Sequence, residues 1–155
     1  MLAKSYGSSV YGVDANVITI EVNVSQGTRF HMVGLPDNAI KESEHRIDAA
    51  IKYSGYKMPR QKVVINLAPA DVKKEGSAYD LPIALGILKG SEQIFTEELG
   101  DFMIMGELAL DGTLRPIKGV LPIAIEARKQ GFKGFILPQE NVAEAAIVNN
   151  LEIMP

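Results

Sequence analysis

The sequence predicts an α+β fold, a sandwich of helices on a mixed sheet, on three observations. Residues 17–24 alternate strictly, with Ile18, Ile20, Val22 and Val24 on one face and Thr19, Glu21 and Asn23 on the other, as in a half-buried strand. The run Val63-Val64-Ile65-Asn66-Leu67-Ala68 is apolar and β-branched, and after a polar, glycine-containing connection Leu81, Ala84, Leu85 and Leu88 recur at helical spacing. The second half of the chain then repeats the alternation of strand and helix.

From the N-terminus, the strand at 17–24 ends in a Gln26-Gly27 turn, and residues 29–33 are expected to return as its partner strand. Asp37 is the expected N-cap of a helix reaching Ser54, with Ile40, Ile47 and Ile51 facing inward and Gly55 as its stop. The strand at 63–68 reads as covered on both faces. The helix from Leu81, its stripe widened by Ile83 and Ile87, ends near Lys89-Gly90. Phe102-Met103-Ile104-Met105 is another covered strand, and Asp111-Gly112 signals a hairpin between Leu108 and Leu114. A helix over 119–130 stops at Gly131, with Arg128 and Lys129 opposing its dipole. A short strand at 134–138 follows. Asn141 with Glu144 three residues on forms a capping box for a last helix, and residues 151–154 make a last strand.

With 155 residues, 46% of them hydrophobic, the chain suits a single domain over 1–155, without internal repeat or linker. A net charge of −3 and a pI of 5.4 speak against a general nucleic-acid-binding surface but leave room for a local basic patch. No apolar run approaches the length of a membrane span, and the first six residues lack the apolar core of a signal peptide, so the expectation is a cytoplasmic protein with no membrane partner. Zero cysteines exclude disulfides, thiolate metal sites and cysteine nucleophiles.

The connection at 69–80, Pro69-Ala70-Asp71-Val72-Lys73-Lys74-Glu75-Gly76-Ser77-Ala78-Tyr79-Asp80, lies between a rigid strand and a helix N-terminus, a setting suited to chemistry or anion binding. Together with Gly106-Glu107-Leu108-Ala109-Leu110-Asp111-Gly112-Thr113-Leu114-Arg115-Pro116-Ile117-Lys118-Gly119-Val120-Leu121, it resembles the two signature segments of the Lon peptidase domain. In that family a serine at the helix start is the nucleophile, and a lysine just past a Pro-Ile-x-Gly turn is its base. Matched on Lys74-Glu75-Gly76, the serine position is held by Ala78; matched on Pro116-Ile117-Lys118-Gly119, the lysine position is held by Leu121. Neither side chain can attack a carbonyl or accept a proton, so the catalytic dyad is vacant. The opening Tyr6-Gly7-Ser8-Ser9-Val10-Tyr11-Gly12-Val13-Asp14-Ala15 and the segment from Val33 to Ser43 make the chain similar to the N-terminal domain of the ComM/YifB, magnesium-chelatase-related AAA+ ATPases. That resemblance implies the ribosomal protein S5 domain 2-like fold of Lon peptidases, with a left-handed crossover. It also implies an AAA+ module beyond these residues that would hold ATP and Mg, neighbouring subunits in a hexameric ring, and a parent acting on DNA as a helicase in branch migration. No G-x-x-x-x-G-K-[ST] or G-x-G-x-x-G segment occurs in this chain, so no cofactor is expected here.

Other candidates have a chemical and a plain reading. Ser77 and Lys118 flank the vacant positions and could form a displaced peptidase dyad, but a one-residue shift turns a helical side chain by about 100 degrees, which favours a loop serine and a surface lysine. Asp80 and Glu107 could share acid and base roles; alternatively Asp80 caps its helix and Glu107 pairs with a loop amide or a base. His31 and His45 show no metal-ligand spacing and fall on polar faces. The stretch from Lys52 to Lys62 is different: Lys52, Lys57, Arg60 and Lys62, with Tyr53 and Tyr56, could contact phosphates and stack on single-stranded bases, or could form an ordinary solvated helix end. Taken together, the sequence reads as a non-catalytic accessory domain; a peptidase using displaced residues and a free-standing protein-binding module are the alternatives.

Overall fold

A computed structural model describes residues 1–155. Seven strands form one mixed sheet in the order β3-β4-β2-β1-β5-β8-β9: β1 (Leu2–Tyr11), β2 (Asp14–Ser25), β3 (Phe30–Val33), β4 (Lys62–Ala68), β5 (Phe102–Ile104), β8 (Gly134–Ile136) and β9 (Glu152–Met154). A separate two-stranded ribbon pairs β6 (Glu107–Leu108) with β7 (Leu114–Arg115). The helices are α1 (Asn38–Lys41), α2 (Ser43–Tyr53), α3 (Asp80–Gly90), α4 (Val120–Lys129) and α5 (Val142–Ala145). Helices on a mixed sheet are the expected α+β sandwich. No helix is long and apolar enough to cross a membrane.

The alternation at 17–24 predicts β2 correctly: Ile18, Ile20, Val22 and Val24 are all buried. Its partners are not the expected ones. β1, unread in the sequence, pairs with β2 over ten residues from Leu2↔Asn23 to Tyr11↔Asp14, and β4 pairs along the other edge of β2. With both edges of β2 occupied, β3 instead pairs in parallel with β4, through Phe30↔Val63 to Val33↔Asn66, and α1 and α2 supply the crossover that a parallel pair needs.

Side-chain alternation places the layers. On one face Ser5 Oγ donates to the Pro82 carbonyl at 2.8 Å, which seats α3 on β1. A Cβ on Gly86 of α3 would lie 2.6 Å from Val22 Cγ2, so only glycine permits this approach. On the opposite face Tyr6 meets Phe132, just past α4, edge to face at 5.5 Å. β4 is therefore not covered on both faces, as its composition predicts: Val63, Ile65 and Leu67 are buried, but Val64, Asn66 and Ala68 are only half-buried. There the second face is polar, with Asn66 Nδ2 donating to Glu21 Oε1 at 2.9 Å. β5, by contrast, is buried at all three residues.

Two helical expectations change. The helix over 37–54 is divided at Glu42 into α1 and α2, although Asp37 caps α1 as predicted, its Oδ1 accepting from Ile40 N at 2.9 Å. Asn141 does not form a capping box. Its amide is drawn off to Ile117, accepting from the N–H at 2.9 Å and donating to the carbonyl at 3.0 Å, and α5 is one short turn.

Candidate functional site

The loop between β4 and α3 is held in place by the segment between β3 and α1. Lys74 N donates to Leu35 O at 3.0 Å, Asp37 N donates to Lys74 O at 3.0 Å, and Asp37 Oδ2 accepts from Gly76 N at 2.9 Å. Asp37 thus serves two strand-to-helix connections at once. Lys74 is fully buried; its ammonium donates to the carbonyls of Gly34, at 2.8 Å, and Pro69.

Burial pulls the Lys74 amine below the ordinary lysine range, against the opposing pull of Asp71. As pH climbs from this lowered pKa towards the ordinary value of about 10.4, the folded amine sheds its proton while the unfolded chain keeps one. Unfolding then takes up protons, so the cost of burying Lys74 shrinks as pH rises through that window. Wild-type stability, measured by urea unfolding, should therefore rise with pH relative to Lys74→Met across that range. A pH-independent difference would show that Lys74 titrates as in the unfolded chain.

This loop forms one wall of a cleft of about 750 Å³, lined among others by Ser8, Ser9, Ser77, Ala78, Glu107 and Lys118. Ala78 lines the cleft, and its carbonyl accepts from Gly106 N at 2.8 Å. Leu121, in the first turn of α4, packs against the main hydrophobic core, and Ile123 is the α4 residue that reaches the cleft. The Ser77 hydroxyl donates to Glu107 Oε1, and Arg115 Nε lies 3.5 Å from Glu107 Oε2. Lys118 lines the same cleft but makes no hydrogen bond or ion pair with either residue. At its base Tyr79 is buried, and burial pushes its phenol well above the ordinary range.

Asp80 departs from its expected role. Tyr79 occupies the N-cap position of α3 and Asp80 is the first helical residue, but its carboxylate does not cap the helix. It receives Arg46 Nε at 2.7 Å on Oδ2 and Arg46 Nη2 at 2.9 Å on Oδ1, and Oδ2 also accepts from Leu108 N at 3.1 Å. One buried carboxylate thereby joins α2, α3 and the β6-β7 ribbon. Burial pushes its pKa up while Arg46 and the Leu108 amide pull it back; the Arg46 guanidinium is held above its usual value by Asp80. Arg46 was not singled out in the sequence, because nothing local marks a partner 34 residues away.

His31 and His45 are exposed on β3 and α2, and no group of three His, Asp or Glu residues is placed to hold a metal ion. The basic stretch forms a second concavity of about 660 Å³, lined by Lys52, Tyr56, Lys57 and Arg60 with Asp48, Met58 and Pro59. Lys62 lies outside it, exposed on β4, and Tyr53 is exposed at the end of α2.

Residues 20–141 match the family model described as subunit ChlI of Mg-chelatase. The chain is 46% identical to the YifB protein of Escherichia coli over 139 residues, 89% of this chain and 27% of that one. It is 41% identical to the competence protein ComM of Haemophilus influenzae over 150 residues, 96% of this chain and 29% of that one. It is 26% identical to the archaeal Lon protease of Methanocaldococcus jannaschii over 165 residues, 97% of this chain and 25% of that one. The chain thus spans less than a third of the length of each.

Proposed function

Because the chain belongs to the family of the ChlI subunit of Mg-chelatase, together with the YifB and ComM proteins, we propose that it is a non-catalytic accessory domain of an AAA+ ATPase. The observation that carries this reading is the pair of hydrocarbon side chains at the positions of the Lon dyad. Ala78 faces a cleft that is still formed, and Leu121 is packed into the core. A hydroxyl and an amine at those positions would supply attack and proton transfer; alanine and leucine supply neither. ATP and Mg would be held by the ATPase module, outside these residues.

The domain then acts as a collar between neighbouring subunits of a hexameric ring. The competence name of one relative supports a parent acting on DNA, as a helicase or branch-migration factor in transformation or recombination. A phosphate-loop segment is expected further along the parent's coding sequence, and its absence would favour a free-standing binding module. In the full-length parent, deletion of this domain should weaken ring assembly, read by sedimentation velocity with ATP present. A hexamer unchanged by the deletion would remove the collar role.

The hydrogen bond from Ser77 to Glu107 gives a displaced-residue peptidase its one structural support. Incubation of the chain with unfolded casein and a serine-reactive probe should give no peptide release and no labelling of Ser77. Labelling accompanied by release would overturn the non-catalytic reading.

A further inference from the structure

The loop at 55–61 has no regular secondary structure, yet its backbone is fixed. Gly55 takes a left-handed φ of 88°, and Tyr56 N donates to Ile51 O at 3.0 Å. The Gln93 carboxamide then clamps Lys57, accepting from its N–H at 2.8 Å and donating to its carbonyl at 2.6 Å. That clamp brings the loop at 91–98 alongside and leaves the Lys57 side chain unengaged.

Lys57, Arg60 and Lys62 have no acidic partner within ion-pair distance, and neither has Arg29, whose carbonyl accepts from Val63 N at this end of the sheet. Lys52 pairs with Asp48 at 3.0 Å in a solvent-exposed bridge; the acids at this surface are Asp48 and, on the second loop itself, the exposed Glu92, Glu97 and Glu98, so the cations come from the first loop and the second contributes Phe95. The helix dipole accounts for Lys52 and Lys89, which sit in the last turns of α2 and α3. It does not account for Lys57 or Arg60, which lie outside both helices. Three aromatic side chains also stay exposed on these two loops and the helix end leading into them: Tyr53 at 75%, Tyr56 at 40% and Phe95 at 87%.

We propose that the surface made by these two loops docks single-stranded DNA, with Lys57 and Arg60 holding phosphates and Tyr53, Tyr56 and Phe95 stacking on bases. Cations alone would serve duplex and single strand alike; exposed ring faces select unstacked bases. The choice of DNA over RNA rests on the reading of the parent given above.

The test is fluorescence anisotropy of a labelled oligothymidylate titrated with the chain at low salt. Wild type should bind, with affinity falling as salt rises. Lys57→Glu with Arg60→Glu should cost at least about tenfold and flatten the salt dependence. Tyr56→Ala or Phe95→Ala should cost roughly tenfold with the salt dependence unchanged. All four positions are exposed, so the variants should melt as wild type does. Absence of binding, or charge variants that bind as wild type does, would overturn the proposal. Aromatic variants without effect, or duplex DNA bound as tightly, would overturn the stacking; tighter binding of oligouridylate would overturn the choice of DNA. The ring reading is judged separately, by sedimentation of the parent.

Discussion

Asp80→Ala should destabilise the chain by about 3–5 kcal/mol, the cost of stranding one partner of a buried ion pair. For a domain of this size that is a fall in melting temperature of roughly 10 °C. The Asp80 side chain is 1% exposed and its partner Arg46 21%, so water can replace the lost carboxylate only on the outer side of the guanidinium. Arg46 would keep its bond to the Ala39 carbonyl at 2.8 Å, but two of its donors and the Leu108 amide would lose their acceptor. Asp80→Asn, which keeps the shape and one acceptor, should cost about half as much. Replacing both partners, Arg46→Met with Asp80→Leu, should recover most of the loss but leave the Leu108 N–H unpaired, a residual cost of about 1–3 kcal/mol. Urea denaturation of the three variants measures this order. A loss below about 1 kcal/mol for Asp80→Ala would show that the three elements hold together without this carboxylate.

The same residue shows why part of the site was legible in the sequence and part was not. Signals confined to a few consecutive residues were readable: the alternation of β2, the Asp37 cap and the Asp111-Gly112 hairpin, in which Asp111 accepts from Thr113 N at 3.0 Å. Signals that depend on what packs from far away were not. β1 went unread because its buried positions include Ala3, Ser5 and Ser8, which lack the β-branched bulk of a core strand, and Ser5 instead binds the Pro82 carbonyl of α3. The β3 pairing failed because a turn after β2 signals a reversal, not whether another strand will fill the adjacent edge. Asn141 and Asp80 each carried a correct local signal for capping, and in each case a distant partner, Ile117 or Arg46, took the side chain instead. The loop signature placed Ala78 in the cleft, but the ammonium of Lys74, turned inward to two carbonyls, has no mark in the sequence that separates it from Lys73, which is exposed.

Gly34→Ala should be the most damaging change of a single hydrogen to a methyl group in the chain, because it strikes the joint between the sheet and the cleft wall. Gly34 has a φ of 101°, in a region that side chains avoid, and an added Cβ would lie 2.9 Å from both the carbonyl carbon and the amide nitrogen of Leu67 and nearer still to its oxygen. Those atoms belong to β4, which is paired on both sides, with β2 and with the edge strand β3, so relief must come from the edge: β3 would have to move off β4, starting at the Val33↔Asn66 pair. The movement would carry away the Gly34 carbonyl that receives the Lys74 ammonium, leaving a buried charge with one acceptor fewer, and would loosen the Asp37 bond to Gly76. Gly55→Ala is the control. Its φ is similarly positive, at 88°, but no atom lies within 4 Å of the added Cβ, so only the backbone preference is lost, about 1 kcal/mol. Gly34→Ala should cost at least about 3 kcal/mol by urea denaturation and should speed amide exchange at Lys74 and Gly76. Equal costs for the two variants would mean that β3 gives way without strain, and that the cleft wall does not depend on the segment from Gly34 to Asp37 for its position.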